Sequence, residues 1–229
     1  MTGRGRQFDF WWQVGLLTLA PLYRLLFPLR FDGLDRIPVS GAAILAPNHV
    51  SVLDPIAVAL ATSARGRPLR FLAAAEFFAH PLWGWGLRRM KGIPVRRGTR
   101  DLGALDQLQQ VLHSGGLAGI FPEGRVGPGD FPLRGRSGLV RAAVAAGVPI
   151  LPIGVWGTQD RWPLGGPRLS LPLRIPVAVV MGECIHVPEE ATRSTGVLRE
   201  VTREVMRSIE SQVLRARAIA GLRRRSSRR

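Results

Sequence analysis

The sequence predicts an α/β fold, a mixed and mostly parallel sheet flanked by helices, with a pair of N-terminal helices at a membrane interface. Three observations predict it. From Gly33 onward, short apolar runs of strand length alternate with helical segments, the rhythm of βα units. The chain has 229 residues, enough for one sizeable core and most simply one domain. Ahead of that domain, Phe8 to Phe31 is dense in large apolar side chains and is interrupted by Pro21.

The N-terminal stretch pairs Trp11 with Trp12 and continues through Leu16, Leu17, Leu19, Leu22, Leu25, Leu26 and Phe27; after Asp9 its only charges are Arg24 and Arg30. Its uninterrupted part is shorter than the roughly 20 residues that span a bilayer. No small-residue cleavage site follows, which argues against a signal peptide. Two short helices broken near Pro21, lying in the interface with tryptophan and arginine at headgroup level, fit the pattern. Expected strands follow at Ala42–Ala46, Leu69–Ala73, Ile93–Val95, Leu117–Phe121, Ile150–Val155 and Val177–Met181. Expected helices are Pro55–Ala64, a segment from about Glu76 to Arg89, Leu102–His113, Gly138–Ala146, and a long one from Thr192 to about Ala220. Trp162 to Pro176, rich in Pro, Gly and Leu, reads as a surface loop. The chain thus divides into interface helices at 1–31, a globular domain at 32–221 and a basic, disordered tail at 222–229.

Composition narrows the function. The net charge is +16, nearly all of it arginine, with Lys91 the only lysine. Nucleic acid, an anionic membrane surface and anionic substrates compete to explain it. No RNA-binding aromatic signature, zinc finger or other nucleic-acid module is present, which leaves nucleic acid the weakest partner. Attraction of the terminal arginines to anionic lipid is worth about 1 kcal/mol each near the surface. A single cysteine, Cys184, excludes a disulfide framework and any multi-cysteine metal site.

Four stretches carry chemistry. In Asn48-His49-Val50-Ser51-Val52-Leu53-Asp54-Pro55, a histidine and an aspartate follow an apolar strand, and Asp54-Pro55 reads as a helix cap and first turn. A carboxylate bonded to one ring nitrogen fixes the imidazole tautomer, and the other nitrogen is free to take a proton from a hydroxyl. Lys91 to Gly98 delivers Arg96 and Arg97 into a glycine-flanked turn, a plausible phosphate clamp because the guanidinium fork matches phosphate oxygens. Gly119 to Arg125 is a strand ending in Pro122-Glu123-Gly124, which offers a carboxylate to a hydroxyl or an arginine. Val148 to Val155 is a proline-bearing apolar strand suited to a greasy pocket.

In this order and spacing the four stretches resemble the glycerolipid acyltransferase family, the bacterial 1-acylglycerol-3-phosphate acyltransferases in particular, over about Phe31 to Met181. One departure stands out. Where the third block usually continues Phe-Pro-Glu-Gly-Thr-Arg-Ser, this chain has Arg125 and Val126, so either Arg125 or Arg136 could supply the missing contact. The resemblance implies that His49, oriented by Asp54, is the general base that lets an acceptor hydroxyl attack the thioester of acyl-CoA or acyl carrier protein. It implies a lysophospholipid acceptor, with Asn48, Ser51, Arg96, Arg97, Glu123 and Gly124 in the substrate site. It also implies no metal or bound cofactor, and a place on the cytoplasmic face of the cell membrane. No Gly-x-Ser-x-Gly elbow is present.

Overall fold

The computed structural model describes residues 10–99, 101–129, 131, 133–163, 165–167 and 174–226. Its centre is a seven-stranded sheet: β1 (Leu29–Asp32), β2 (Ala43–Pro47), β3 (Leu69–Ala74), β4 (Ile93–Val95), β5 (Leu117–Gly119), β6 (Ile150–Trp156) and β7 (Val177–Met181), in the order β1-β7-β6-β2-β5-β3-β4. Strands β2 to β6 run parallel, whereas β7 is antiparallel to β6 and β1 is parallel to β7. The expected mixed, mostly parallel sheet is therefore present.

Both faces of the sheet are covered, and the central strand shows how. In β2, Ala43 and Leu45 enter a core with α1 (Phe10–Leu26) and α2 (Asp54–Ala64), while Ile44 and Ala46 enter another. That second core is closed by α5 (Leu102–His113), α6 (Gly138–Ala146) and α7 (Thr195–Ser226). The period of two is what alternation along a pleated strand requires. Gly154 of β6 is needed because α7 lies directly on the strand: a Cβ there would come within 2.1 Å of the Gln212 backbone. At the N-terminal end of the strands, buried Arg67 donates to the carbonyls of Pro38, Gly41 and Gly115, each at 2.7 Å. Burial lowers its pKa below the usual arginine range, and the three charge-assisted bonds compensate.

Four elements differ from expectation. The N-terminal segment is one helix that continues through Pro21, not a pair. Pro21 sits on the exposed side, opposite the buried Trp12, Ala20 and Tyr23, so the backbone bond it removes is lost on the side away from the core. Leu29–Asp32, read as part of that helical stretch, is the edge strand β1, held by β7 and by Arg215, whose guanidinium lies 2.6 Å from Asp32. The segment from Glu76 to Arg89 is two helices, α3 (Ala75–Ala79) and α4 (Pro81–Arg89), because Pro81 forces His80 into an extended conformation. Helix α7 runs to Ser226, so the first five residues of the expected disordered tail are helical; 227–229 and parts of the 162–176 loop (164 and 168–173) lie outside the described residues.

Candidate active site

The C-terminal edge of the parallel strands gathers the chemistry. Directly after β2, the chain turns through Asn48 and His49 into α2. Asp54 is fully buried at the start of α2, but it does not cap the helix as expected. Its carboxylate turns back: Oδ2 accepts from Val50 N–H and Ser51 N–H at 2.8 Å each and lies 3.0 Å from His49 Nδ1, and Oδ1 accepts from the Thr158 hydroxyl. Because an ionised carboxylate can only accept, Nδ1 carries the ring proton and Nε2 presents its lone pair.

The ring itself is held by stacking. Phe121, two residues past β5, lies 3.9 Å from the imidazole at 21°, and Phe71 of β3 stacks behind Phe121 at 5.3 Å. Gly119 makes this possible, since a Cβ there would sit 2.4 Å from the Phe71 ring. The His49 side chain keeps 13% exposure, while Asp54 keeps none.

Glu123 enters from the adjacent strand end. Its Oε1 accepts the His49 N–H at 2.8 Å, and Gly127 N–H closes the same loop on the His49 carbonyl at 2.8 Å. Burial pushes the Glu123 carboxyl above the usual range, partly offset by the His49 N–H and by the nearby imidazole. Glu123, expected to touch the acceptor, thus spends one oxygen on the His49 backbone. Gly124 adopts a left-handed conformation (φ +74°) at the turn, and the Arg136 guanidinium lies against it.

Two residues expected in the substrate site are turned inward. Asn48 is buried and pairs both amide atoms with the Val155 backbone, at 3.1 and 2.7 Å, so it ties the β2 turn to β6. Ser51 is buried too, its hydroxyl accepting from Leu53 N–H at 3.1 Å. Both side chains are consumed because a sharp turn at a strand end leaves backbone groups that must be satisfied.

The arginines stand on the same edge but further out. Arg96 and Arg97 immediately follow β4, three strands from β2, or about 14 Å at the usual strand spacing. Asp101 caps α5 and accepts the Arg96 N–H at 2.9 Å, which fixes the turn; those backbone bonds hold its carboxyl below the usual range. The Arg96 and Arg97 side chains are exposed, as are those of Arg125 and Arg136. Thr158 and Phe121 were missed as site residues. Thr158 is 104 positions from Asp54, and no local spacing signals the contact.

Comparison with known proteins agrees with this geometry. A family model described as Acyltransferase matches residues 28–156. The chain is 34% identical to a lyso-ornithine lipid O-acyltransferase of Pseudomonas aeruginosa, over 67% of this chain and 55% of that protein. It is 31% identical to a 1-acyl-sn-glycerol-3-phosphate acyltransferase of the same organism, over 78% of this chain and 68% of that one. The crystal structure of the 1-acyl-sn-glycerophosphate acyltransferase PlsC from Thermotoga maritima superposes with a TM-score of 0.61 at 27% identity, covering 80% of this chain and 71% of that one. The chain spans about half the length of several curated relatives it matches. With more than half of its residues under the family model, and the histidine–aspartate turn placed at the sheet edge, the chain belongs to the acyltransferase family.

Proposed function

We propose that this protein transfers a fatty acyl group from acyl-CoA or acyl carrier protein to the free hydroxyl of lysophosphatidic acid, giving phosphatidic acid at the cytoplasmic face of the membrane. The observation that carries the reading is the His49–Asp54 pair, with Nδ1 committed to the carboxylate and Nε2 open at the sheet edge. The acceptor hydroxyl gives its proton to Nε2 as its oxygen bonds to the thioester carbon. The C–S bond then breaks, and the leaving thiolate takes the proton back from the imidazolium. No protein nucleophile is required.

The N–H groups of His49, Val50 and Ser51 are all bonded inside the fold, so the developing oxyanion draws its donors from elsewhere. Arg96 and Arg97 would grip the acceptor phosphate, and Arg136, lying on the Gly124 turn, replaces the arginine missing at Val126. The apolar outer side of α1 would rest on the bilayer.

A second reading has its own support. Arg125 stands where the family usually carries threonine, and one relative is named for lyso-ornithine lipid, so a different lysolipid acceptor competes. Purified protein with labelled oleoyl-CoA and a panel of lyso-acceptors separates the two: the first expects phosphatidic acid as the dominant product. His49→Ala should lower turnover by about 10²–10⁴-fold with the circular dichroism spectrum unchanged. Turnover at the wild-type level in that variant would end the mechanism.

A further inference from the structure

Helices α3 and α4 form an arm that the proposed chemistry does not use. It hangs from the end of β3, on the same sheet edge as His49. The arm is stitched rigidly: Arg88 donates to the Phe78 carbonyl at 2.6 Å, and Gly84 lets α4 cross so closely that a Cβ would meet that carbonyl oxygen at 2.1 Å. Yet three of its aromatic side chains keep much of their surface in solvent, although Trp83 meets the Trp162 ring edge-on at 6.1 Å. Phe77 is 44% exposed, Trp83 41% and Trp85 50%.

Trp83 and Trp85 are two positions apart and therefore leave opposite flanks of α4, with buried Gly84 between them facing α3. Trp85 packs edge-on against Trp11 of α1 at 5.6 Å, and the Arg89 guanidinium lies 4.1 Å from the Trp11 ring. The arm is thus continuous with α1, whose Phe10, Leu17, Leu22 and Leu25 are more than half exposed.

We infer that the α3–α4 arm is a second membrane-contacting element, seated together with α1 on an anionic bilayer so that the edge carrying His49 faces the lipid. This rests on the membrane contact proposed for α1 and adds a site to it. Large rigid aromatics exposed beside arginine are suited to the headgroup layer, where the ring is buried and the polar edge stays wet. Charge complements the partner: α1, α3 and α4 carry Arg24, Arg88 and Arg89 against the single carboxylate of Glu76. Among the described residues no helix is long and apolar enough to cross a membrane, so contact along the surface is the geometry available.

Sedimentation of the full chain with vesicles of phosphatidylcholine and phosphatidylglycerol tests the inference. Phe77→Ser combined with Trp83→Ser should weaken partitioning at least tenfold. Turnover of a short-chain, monomeric lysophosphatidic acid in vesicle-free solution should stay within twofold. Unchanged partitioning in this variant, with loss in Leu17→Ser/Leu25→Ser, would place the contact on α1 alone and overturn the inference while leaving the proposed reaction untouched. Should the serine variant fail to fold, an environment-sensitive fluorophore on Phe77→Cys, in a Cys184→Ala background, decides the question. Vesicles should blue-shift its emission and shield it from iodide; an unshifted spectrum on vesicle-bound protein overturns the inference. So does burial of the label by self-association in the absence of lipid.

Discussion

After β2 the chain ties nearly all its polar groups into its own fold, whereas after β4, on the same edge, it leaves two guanidiniums exposed. The first turn buries Asp54, surrounds it with four donors and sandwiches His49 against Phe121. The second holds its backbone through Asp101, with the Arg96 guanidinium 3.8 Å from the same carboxylate, and leaves Arg96 and Arg97 exposed. The contrast suits the two proposed roles, a general base at His49 and a phosphate clamp at Arg96 and Arg97. Proton transfer loses rate steeply when donor and acceptor are misplaced, so the base must be held before substrate arrives. A phosphate is caught by charge and fork geometry, and flexible guanidiniums reach it at little cost until it binds.

The comparison is broken most sharply at Asp54. Asp54→Asn keeps the size but removes the charge that fixes the histidine tautomer, and kcat should fall by about 10³–10⁴-fold. A loss under tenfold in steady-state assays would show that the turn does not depend on that carboxylate. On the flexible side, Arg97→Ala should lower kcat/KM for the acceptor by about 10–100-fold, the worth of charge-assisted bonds of roughly 1.5–3 kcal/mol. Lysine at the same position restores only part. A change confined to the KM for acyl-CoA would reassign Arg97 to the donor.

Two milder changes probe how much of the rigid turn is needed. Thr158→Val removes the hydroxyl donor to Asp54 while keeping the shape; kcat should fall by about tenfold with KM steady, and Thr158→Ser should recover it. Equal losses in the valine and serine variants would make Thr158 a packing residue only. Glu123→Gln tests the smallest effect, on stability. Burial raises the Glu123 carboxyl above its unfolded value, so its contribution to folding is fully present below the ordinary carboxylate range. That contribution is lost as pH rises through the raised value. Glutamine, which can still accept the His49 N–H, should flatten this fall in urea-unfolding curves taken from pH 4 to 8. An unchanged slope would deny Glu123 its buried charge.

How far the sequence discloses this arrangement depends on the range of each contact. His49 and Asp54 are visible because both lie within one short turn, and the inner strands because β2 and β7 are apolar throughout. Residues whose partners lie far along the chain are misjudged. Asn48 looks like a substrate contact until its pairing with Val155 is seen, and Glu123 until its bond to the His49 backbone is seen. Strand β1 escapes because Leu29-Arg30-Phe31-Asp32 has four residues and follows an apolar helix after only Phe27 and Pro28; only β7 reveals it. Pro21 misleads for a different reason: a helix tolerates proline where the lost bond faces outward.

The pairing of β1 with β7 also sets an order of events during synthesis. Trp12 and Tyr23 of the first helix, with Phe27 just after it, pack in one cluster with Val177 and Val179, so their cover is completed only when the ribosome has delivered β7. At translation rates of about 5–20 residues per second that interval lasts about 8–30 seconds. Through it the nascent helix offers apolar side chains around its whole circumference, a strong attractant for the nearest bilayer or chaperone. When β7 arrives, it withdraws one side of that helix into the protein and leaves Leu17, Leu22 and Leu25 outside. On the membrane contact proposed for that helix, the sheet is completed only after the helix has had time to meet lipid.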